Sequence, residues 1–261
     1  MTEPWFYQPH LPEAGASLTL SGREARHALG ARRLQTGDHL TLFDGRGGVA
    51  HALVASAEGR QREVLLEVQS TESRPLIRPQ LHLACALPKG DRQSTLLSMA
   101  AQLGLASFTP LRCERAVVKP AASFAVRAER WLIEACKQCR SAHLPTLHGP
   151  AGLSAWLERW ADATGSKRLL VAHPGGAGLG RALGKVLGPR HAWPEHVAVM
   201  IGPEGGFTEA EVAEAEGAEA HRITLGETIL RIETAAVAVL GAVRLWSEEA
   251  PGAGVPSDTS G

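Results

Sequence analysis

From residue 80 onward, short apolar runs alternate with stretches of helical composition, and this alternation constrains the fold more than any other feature of the chain. Residues 81–87, 107–111, 168–172, 196–201 and 221–225 read as strands. Helices are expected over 93–103, 125–140, 153–160, 208–216 and 234–247, with Gly104 as the C-terminal stop of the first. Strands and helices in alternation bury their apolar faces most simply as a parallel sheet covered by helices, an α/β domain over residues 80–248.

The first 72 residues have a different rhythm. Residues 17–20 and 39–43 alternate apolar with polar, the Asp44-Gly-Arg-Gly-Gly48 stretch is a turn, and 49–54 forms the next strand, with a helical insert over 22–29. This predicts a small β-rich domain over 1–72. Polar residues from 70 to 75 and a second proline at Pro79 break the pattern, so 73–79 is expected to be a linker. Residues 249–261 have little to bury and are expected to be a disordered tail.

Composition closes off several function classes. No apolar run approaches the roughly 20 residues that span a bilayer, and Met1 to Trp5 lacks a basic and then apolar signal pattern, which implies a cytoplasmic protein. Cys85, Cys113, Cys136 and Cys139 are too few for a disulfide framework, and the CxxC at 136–139 lacks the further ligands a structural zinc needs, so no metal is expected. Lys and Arg total 27 and are cancelled by 27 Asp and Glu. Basic residues nevertheless gather at Arg23, Arg26, Arg32 and Arg33 and again at Arg127, Arg130, Lys137 and Arg140, so a local nucleic-acid surface is compatible with neutrality.

Two segments carry the chemistry. In Ile201-Gly-Pro-Glu-Gly-Gly-Phe207 a buried strand runs into a Gly-rich turn, and Thr208 with Glu211 forms a capping-box pattern for the helix that follows. Gly202, Gly205 and Gly206 remove side chains from a turn at a strand's carboxyl end, where open α/β sheets place ligands. The spacing matches neither GxGxxG nor a P-loop, which sets aside a dinucleotide-binding oxidoreductase. The second segment, Leu225-Gly-Glu-Thr-Ile-Leu-Arg-Ile-Glu-Thr-Ala235, sets Arg231 and Glu233 beside the start of an Ala-rich helix, where a local salt bridge is the simplest structural account.

Together the two segments resemble the uracil-N3 ribosomal RNA methyltransferases of the RsmE type, in the SPOUT superfamily. Further stretches fall in that family's order: residues 27–38, Ala84 to Asp91, Ala101 to Gly104, Glu114-Arg115, Arg130-Trp131, Glu134 to Gln138 with Arg140 and Pro145, and His173-Pro174. The resemblance implies a PUA-like β-barrel followed by a SPOUT domain with a deep trefoil knot, acting as a homodimer. It implies S-adenosyl-L-methionine as cofactor, held by Ala172, His173 and Pro174, by Ile201, Gly202, Pro203, Gly205 and Gly206, and by Leu225, Gly226, Ile229 and Leu230. The implied product is 3-methyluridine in 16S ribosomal RNA of the small subunit, near the decoding centre. Arg231, Glu204 and Glu233 are the expected catalytic residues, since uridine N3 must lose a proton and its carbonyls take up negative charge. RNA contacts are expected from Arg23, Arg26, Arg32, Arg33, Lys89, Arg92 and Arg140.

The sequence departs from the family at Glu227-Thr228, where a basic residue is usual, at Ile232, where Thr is usual, and in Met1 to Tyr7, which lack arginines. Two rival readings share most of these features: a knotted ribose 2′-O-methyltransferase, and an RNA-binding assembly factor with a decayed pocket.

Overall fold

The computed structural model describes residues 3–57, 63–188 and 193–248, and the chain separates into two compact units. The expected tail at 249–261 lies outside the described residues.

The first unit comprises Met1–Leu76 together with Arg130–Pro145. Its strands are β1 (Trp5–Tyr7), β2 (Ser17–Leu20), β3 (His39–Phe43), β4 (Gly48–Ser56) and β5 (Val64–Ser73), in the order β1-β3-β4-β5-β2. Helix α1 (Gly22–Arg26) continues into a π-helical turn over His27–Ala31. The β5 pattern explains the core: Val64, Leu66 and Val68 point inward while Leu65 and Glu67 point out, the period of a half-buried strand. With Phe6, Leu20, Ala25, Ala28, Leu40, Leu42, Ala50, Ala52 and Val54 they form one apolar cluster. The turn at Asp44 is built as its sequence suggests: Asp44 Oδ1 accepts from the Arg46 and Gly48 amides at 2.7 and 2.9 Å, while Gly45 and Gly47 take positive φ. Strand β5 runs on to Ser73, so the polar run from 70 is not yet a break. Its side chains are exposed and carry no periodicity, but their backbone still pairs with Gly48 to His51.

Within this unit Lys137 is buried beneath the ring of Phe6. Its ammonium meets Glu24 at 3.0 Å and donates to His27 Nδ1 at 2.8 Å. Burial and the adjacent Lys137 charge lower the His27 pKa, which keeps the imidazole an acceptor for that ammonium.

The second unit comprises Ile77–Glu129 and Thr146–Gly261. Its elements are β6 (Gln80–Cys85), α2 (Arg92–Gln102), β7 (Leu105–Arg112), α3 (Phe124–Cys139, whose last turns count with the first unit), β8 (Thr146–Leu147), β9 (Ala151–Gly152), α4 (Leu153–Asp162), β10 (Lys167–Gly178), α5 (Leu179–Val186), β11 (His196–Ile201), α6 (Glu209–Gly217), β12 (Ala220–Thr224) and α7 (Ile232–Glu248). The sheet order is β12-β10-β11-β6-β7-β8, with β9 also on β7, and every pairing is parallel. Strands covered on both faces must be apolar throughout, and Val197 to Ile201 are all buried. Helix α7 supplies Ala236, Val239, Leu240 and Val243 to the core, one helical face. Arg244, on the same helix, is buried and donates to the carbonyls of Leu103, Gly104 and Arg78, so it caps α2 where Gly104 (φ +71°) ends it.

The amino ends of the strands form a closed polar network. His82 is hydrogen-bonded through Nδ1 to Ser107 Oγ at 2.8 Å and through Nε2 to His196 Nδ1 at 3.0 Å. Burial, then the neighbouring His196 and His148, lower its pKa to about 4. A cavity of about 350 Å³ beside it is lined by the stacked rings of Trp156 and Trp160. Lys167 donates to the carbonyls of Trp160, Ala161 and Ala163, closing the C-terminus of α4.

Candidate active site

The opposite, carboxyl edge of the sheet is where the two motif segments meet. Ile223 of β12 pairs with Ala172 of β10, Ala172 with Ile201 of β11, and Ile201 with Cys85 of β6, so four adjacent strands end on one row. The loops that leave this row are the ones whose residues were expected to bind a ligand. Open parallel sheets bind ligands at this edge because strand ends and helix starts present unpaired backbone groups there.

The Gly-rich loop is held from several sides. Its turn closes through the Gly206 amide to the Pro203 carbonyl at 2.8 Å, with Gly206 at φ +70°. A Cβ on Gly202 would lie 3.0 Å from the Phe207 amide, and one on Gly205 would lie 3.3 Å from Cβ of Arg115. Arg115 donates to the Gly205 carbonyl at 3.0 Å and to that of Phe207 at 3.5 Å. Thr208 and Glu211 form the expected capping box: Thr208 Oγ1 accepts from the Glu211 amide, and Glu211 Oε2 accepts from the Thr208 amide at 2.8 Å. Glu211 Oε1 also accepts from the Glu114 amide at 2.8 Å, tying the loop after β7 to α6.

Strand β10 leaves its ladder after Ala172 and returns at Ala177, which pairs again with Ile223. The excursion contains His173 and Pro174, and His173 Nδ1 donates to the Pro174 carbonyl at 2.8 Å. Gly176 sits where a Cβ would be 2.6 Å from the Ile223 carbonyl carbon and 2.7 Å from its nitrogen. Only glycine fits so close an approach of two backbones.

The segment after β12 is far more open. Gly226 takes φ +109°, Ile229 is 97% exposed, and Leu230 is half-buried. A cavity of about 500 Å³ lies between Gly178, Leu179, Gly180, Arg181 and the stretch Thr224, Leu225, Gly226. Gly178, Gly180 and Gly226 each face open space on the side where a Cβ would stand. Gly178 to Arg181 were not anticipated from the sequence; the signal available was the glycine spacing at 175, 176, 178 and 180.

Arg231 is exposed, and among the described residues its guanidinium has no ion-pair or hydrogen-bond partner. The local Arg231 to Glu233 bridge suggested by sequence adjacency does not form. Glu233, buried in the first turn of α7, faces Arg92 at 3.7 Å instead, and Arg92 reaches Glu204 at 3.4 Å. Lys89 is exposed on the loop between β6 and α2. In the first unit, Arg23 pairs with Glu134 at 3.2 Å, whereas Arg26, Arg32, Arg33 and Arg140 are exposed, with no ion pair among the described residues. Arg33 and Arg140 both take left-handed backbone conformations.

All four cysteines are unpaired, and burial pushes the Cys113 and Cys136 thiols up to about 12, so they are poor nucleophiles. Among the described residues no cluster of His, Cys, Asp or Glu could hold a metal, and no helix is long and apolar enough to cross a membrane.

Comparison with known proteins extends over both units. A family model for an RNA methyltransferase domain matches residues 76–244, and one for an RNA methyltransferase PUA domain matches residues 20–67. The ribosomal RNA small subunit methyltransferase E of Mycobacterium bovis is 30% identical over 244 residues, covering 91% of this chain and 90% of that protein. The Bacillus subtilis protein of the same name is 27% identical over 245 residues, covering 90% and 93%. Among solved structures, ribosomal RNA small subunit methyltransferase E from Neisseria gonorrhoeae, bound to S-adenosyl methionine, is similar with a TM-score of 0.81 at 27% identity, covering 94% of this chain and 98% of that one. A putative methyltransferase from Legionella pneumophila in complex with bound SAM gives a TM-score of 0.82 at 29% identity, with the same coverage.

Proposed function

The chain belongs to the ribosomal RNA small subunit methyltransferase E family, and from that premise we propose that it methylates N3 of a uridine in 16S ribosomal RNA, near the decoding centre, using S-adenosyl-L-methionine. The observation that carries the reading is the common row of strand ends: Ile223, Ala172 and Ile201 bring the loops at 172–174, 201–206 and 225–230 to one edge, and the last of these loops lines a cavity with Gly178 to Arg181. Glycines facing open space fit a flat, bent ligand that must approach backbone amides closely.

These three loops would hold the cofactor, which supplies an electrophilic methyl group on a sulfonium sulfur. The protein's own residues do the rest. Arg231, exposed and uncommitted, stabilises negative charge on the uracil carbonyls as N3 loses its proton. Glu204 and Glu233 are two carboxylates at this edge, and one of them takes that proton. Exposed Arg26, Arg32, Arg33 and Arg140 supply phosphate contacts that position the RNA. The reading includes a PUA-like RNA-binding domain over 1–72 joined by 73–79 to a SPOUT domain over 80–248, the trefoil knot, a homodimer and a cytoplasmic location.

The test is methyl transfer from labelled S-adenosyl-L-methionine to ribosomal RNA or small subunits from a strain lacking this protein, followed by nucleoside mass spectrometry. A 3-methyluridine product is expected. A ribose-methylated nucleoside would keep the cofactor and reject base methylation, and no transfer together with no cofactor binding would leave an RNA-binding assembly factor.

A further inference from the structure

Arg92 opens α2 at the carboxyl edge, and its guanidinium lies between carboxylates from both motif segments. The two carboxylates differ in access. Glu233 is 10% exposed, and its Oε2 is buried with no hydrogen-bond donor; Arg92 Nη1, 3.7 Å away, is its ion-pair partner. A buried carboxylate without donors is strongly unfavourable unless an opposite charge stands beside it, so Glu233 fixes the guanidinium in place. Glu204 is 44% exposed and receives the other arm of the fork, Nη2 to Oε1, at 3.4 Å. Its backbone belongs to the loop already held by Arg115 and the α6 capping box, which leaves its side chain as the part still to be aimed.

We propose that Arg92 is a positioning residue rather than an RNA contact: anchored on Glu233, it aims Glu204 as the carboxylate that accepts the N3 proton. This rests on the base-methylation reading above. Glu233 is excluded as acceptor because its side chain is buried and its Oε2 faces Arg92, whereas Glu204 is open to an incoming base. The N3–H bond breaks, its proton passes to a Glu204 oxygen, and its electron pair stays on the base. That pair forms the new bond to the methyl carbon, whose former bonding pair remains on the donor's sulfur. Protonated Glu204 then returns the proton to solvent.

The experiment compares wild type with R92A, R92K, E204Q, E233Q and the R92A/E204Q pair. Single-turnover methylation at saturating RNA and S-adenosyl-L-methionine is measured beside cofactor affinity by calorimetry and the salt dependence of RNA binding. R92A and E204Q should each slow the methyl-transfer step about 100-fold. The pair should be no slower than its slower member, because the two act as one unit. R92K should stay slow, since a single ammonium nitrogen cannot reproduce the fork's two separate arms, Nη1 towards Glu233 and Nη2 towards Glu204, and E233Q should match R92A. Cofactor affinity and the salt slope should be unchanged. Multiplied losses in the pair, about 10⁴-fold, would show that Arg92 does not act through Glu204. A wild-type single-turnover rate in R92A, with RNA affinity reduced and the salt slope shallower by about one, would return Arg92 to phosphate contact. Should R92A not fold, wild-type rates in both R92K and E233Q would overturn the proposal. Failure of wild type to yield 3-methyluridine rejects the underlying reading; a 3-methyluridine product with multiplied losses rejects this inference alone.

Discussion

The two ends of the same parallel sheet are built to different ends. At the amino edge two polar side chains are fully engaged: His82 is satisfied at both nitrogens, and Lys167 collects three helix-terminal carbonyls. At the carboxyl edge, among the described residues, Arg231 has no partner, Glu233 Oε2 has no hydrogen-bond donor, Ile229 stands in solvent, and Gly178, Gly180 and Gly226 help line a cavity. A satisfied edge adds to stability and, on the proposed function, the unsatisfied one is kept for a ligand, so mutations at the two should separate stability from activity.

The sharpest separation is expected at Arg231. Arg231→Ala should lower single-turnover methylation by about 10²- to 10³-fold, the usual consequence of losing one donor to a developing anion. With no partner to lose, its melting should stay within about 0.5 kcal/mol of wild type. A destabilised variant would mean that Arg231 is tied into the fold after all, and the contrast between the edges would fail.

The amino edge should show the reverse. The His82 pKa is lowered to about 4 in the folded protein against 6.5 when unfolded, so between those values the unfolded chain binds a proton that the folded one refuses. Stability contributed by neutral His82 is therefore complete above pH 6.5 and is lost as pH falls towards 4, by about 3 kcal/mol at the acid end. His27, His148 and His221 are lowered in the same direction, so His82→Gln should flatten only part of the slope seen in denaturant titrations from pH 7 to 4. An unaltered slope in His82→Gln would place the acid sensitivity elsewhere.

How much of this the sequence disclosed follows from how local each feature is. The capping box at Thr208 and Glu211 spans four residues and is legible, as are the five main strands, whose burial on both faces makes them apolar throughout. Helix α5 was missed because Gly180 and Gly184 depress helix propensity, although Ala182, Leu183 and Val186 do form its buried face. The end of β5 looks like a break in the sequence because exposed strand residues leave no periodic signal. The features that fix the carboxyl edge are contacts between distant segments. Gly176 is required by the backbone of Ile223, and Arg92 is committed to residues more than 100 positions away. Composition at residue 92 reports a positive charge but not which negative charge will face it.

A third separation lies within the carboxyl edge. Gly205 has its side-chain direction filled by Arg115, so Gly205→Val should force Arg115 from the two carbonyls it holds. Overpacking of this kind costs about 1 to 3 kcal/mol. It should appear as a 10- to 100-fold loss of cofactor affinity in calorimetry, with a smaller change in melting. Unchanged affinity would mean that the loop's braced shape is not what the ligand reads.

The smallest expected effect tests whether the brace is shared. Thr208→Ala removes one half of the capping box and should cost about 1 kcal/mol of stability. The Glu211 side chain would still accept from the Thr208-position amide and from Glu114, and Arg115 would still hold the Gly205 carbonyl. Cofactor affinity should therefore fall by less than about threefold. A larger loss of affinity than of stability would show that α6 itself sets the Gly-rich loop. The preorganisation at this edge would then rest on one helix terminus, and Arg115 would be a passenger.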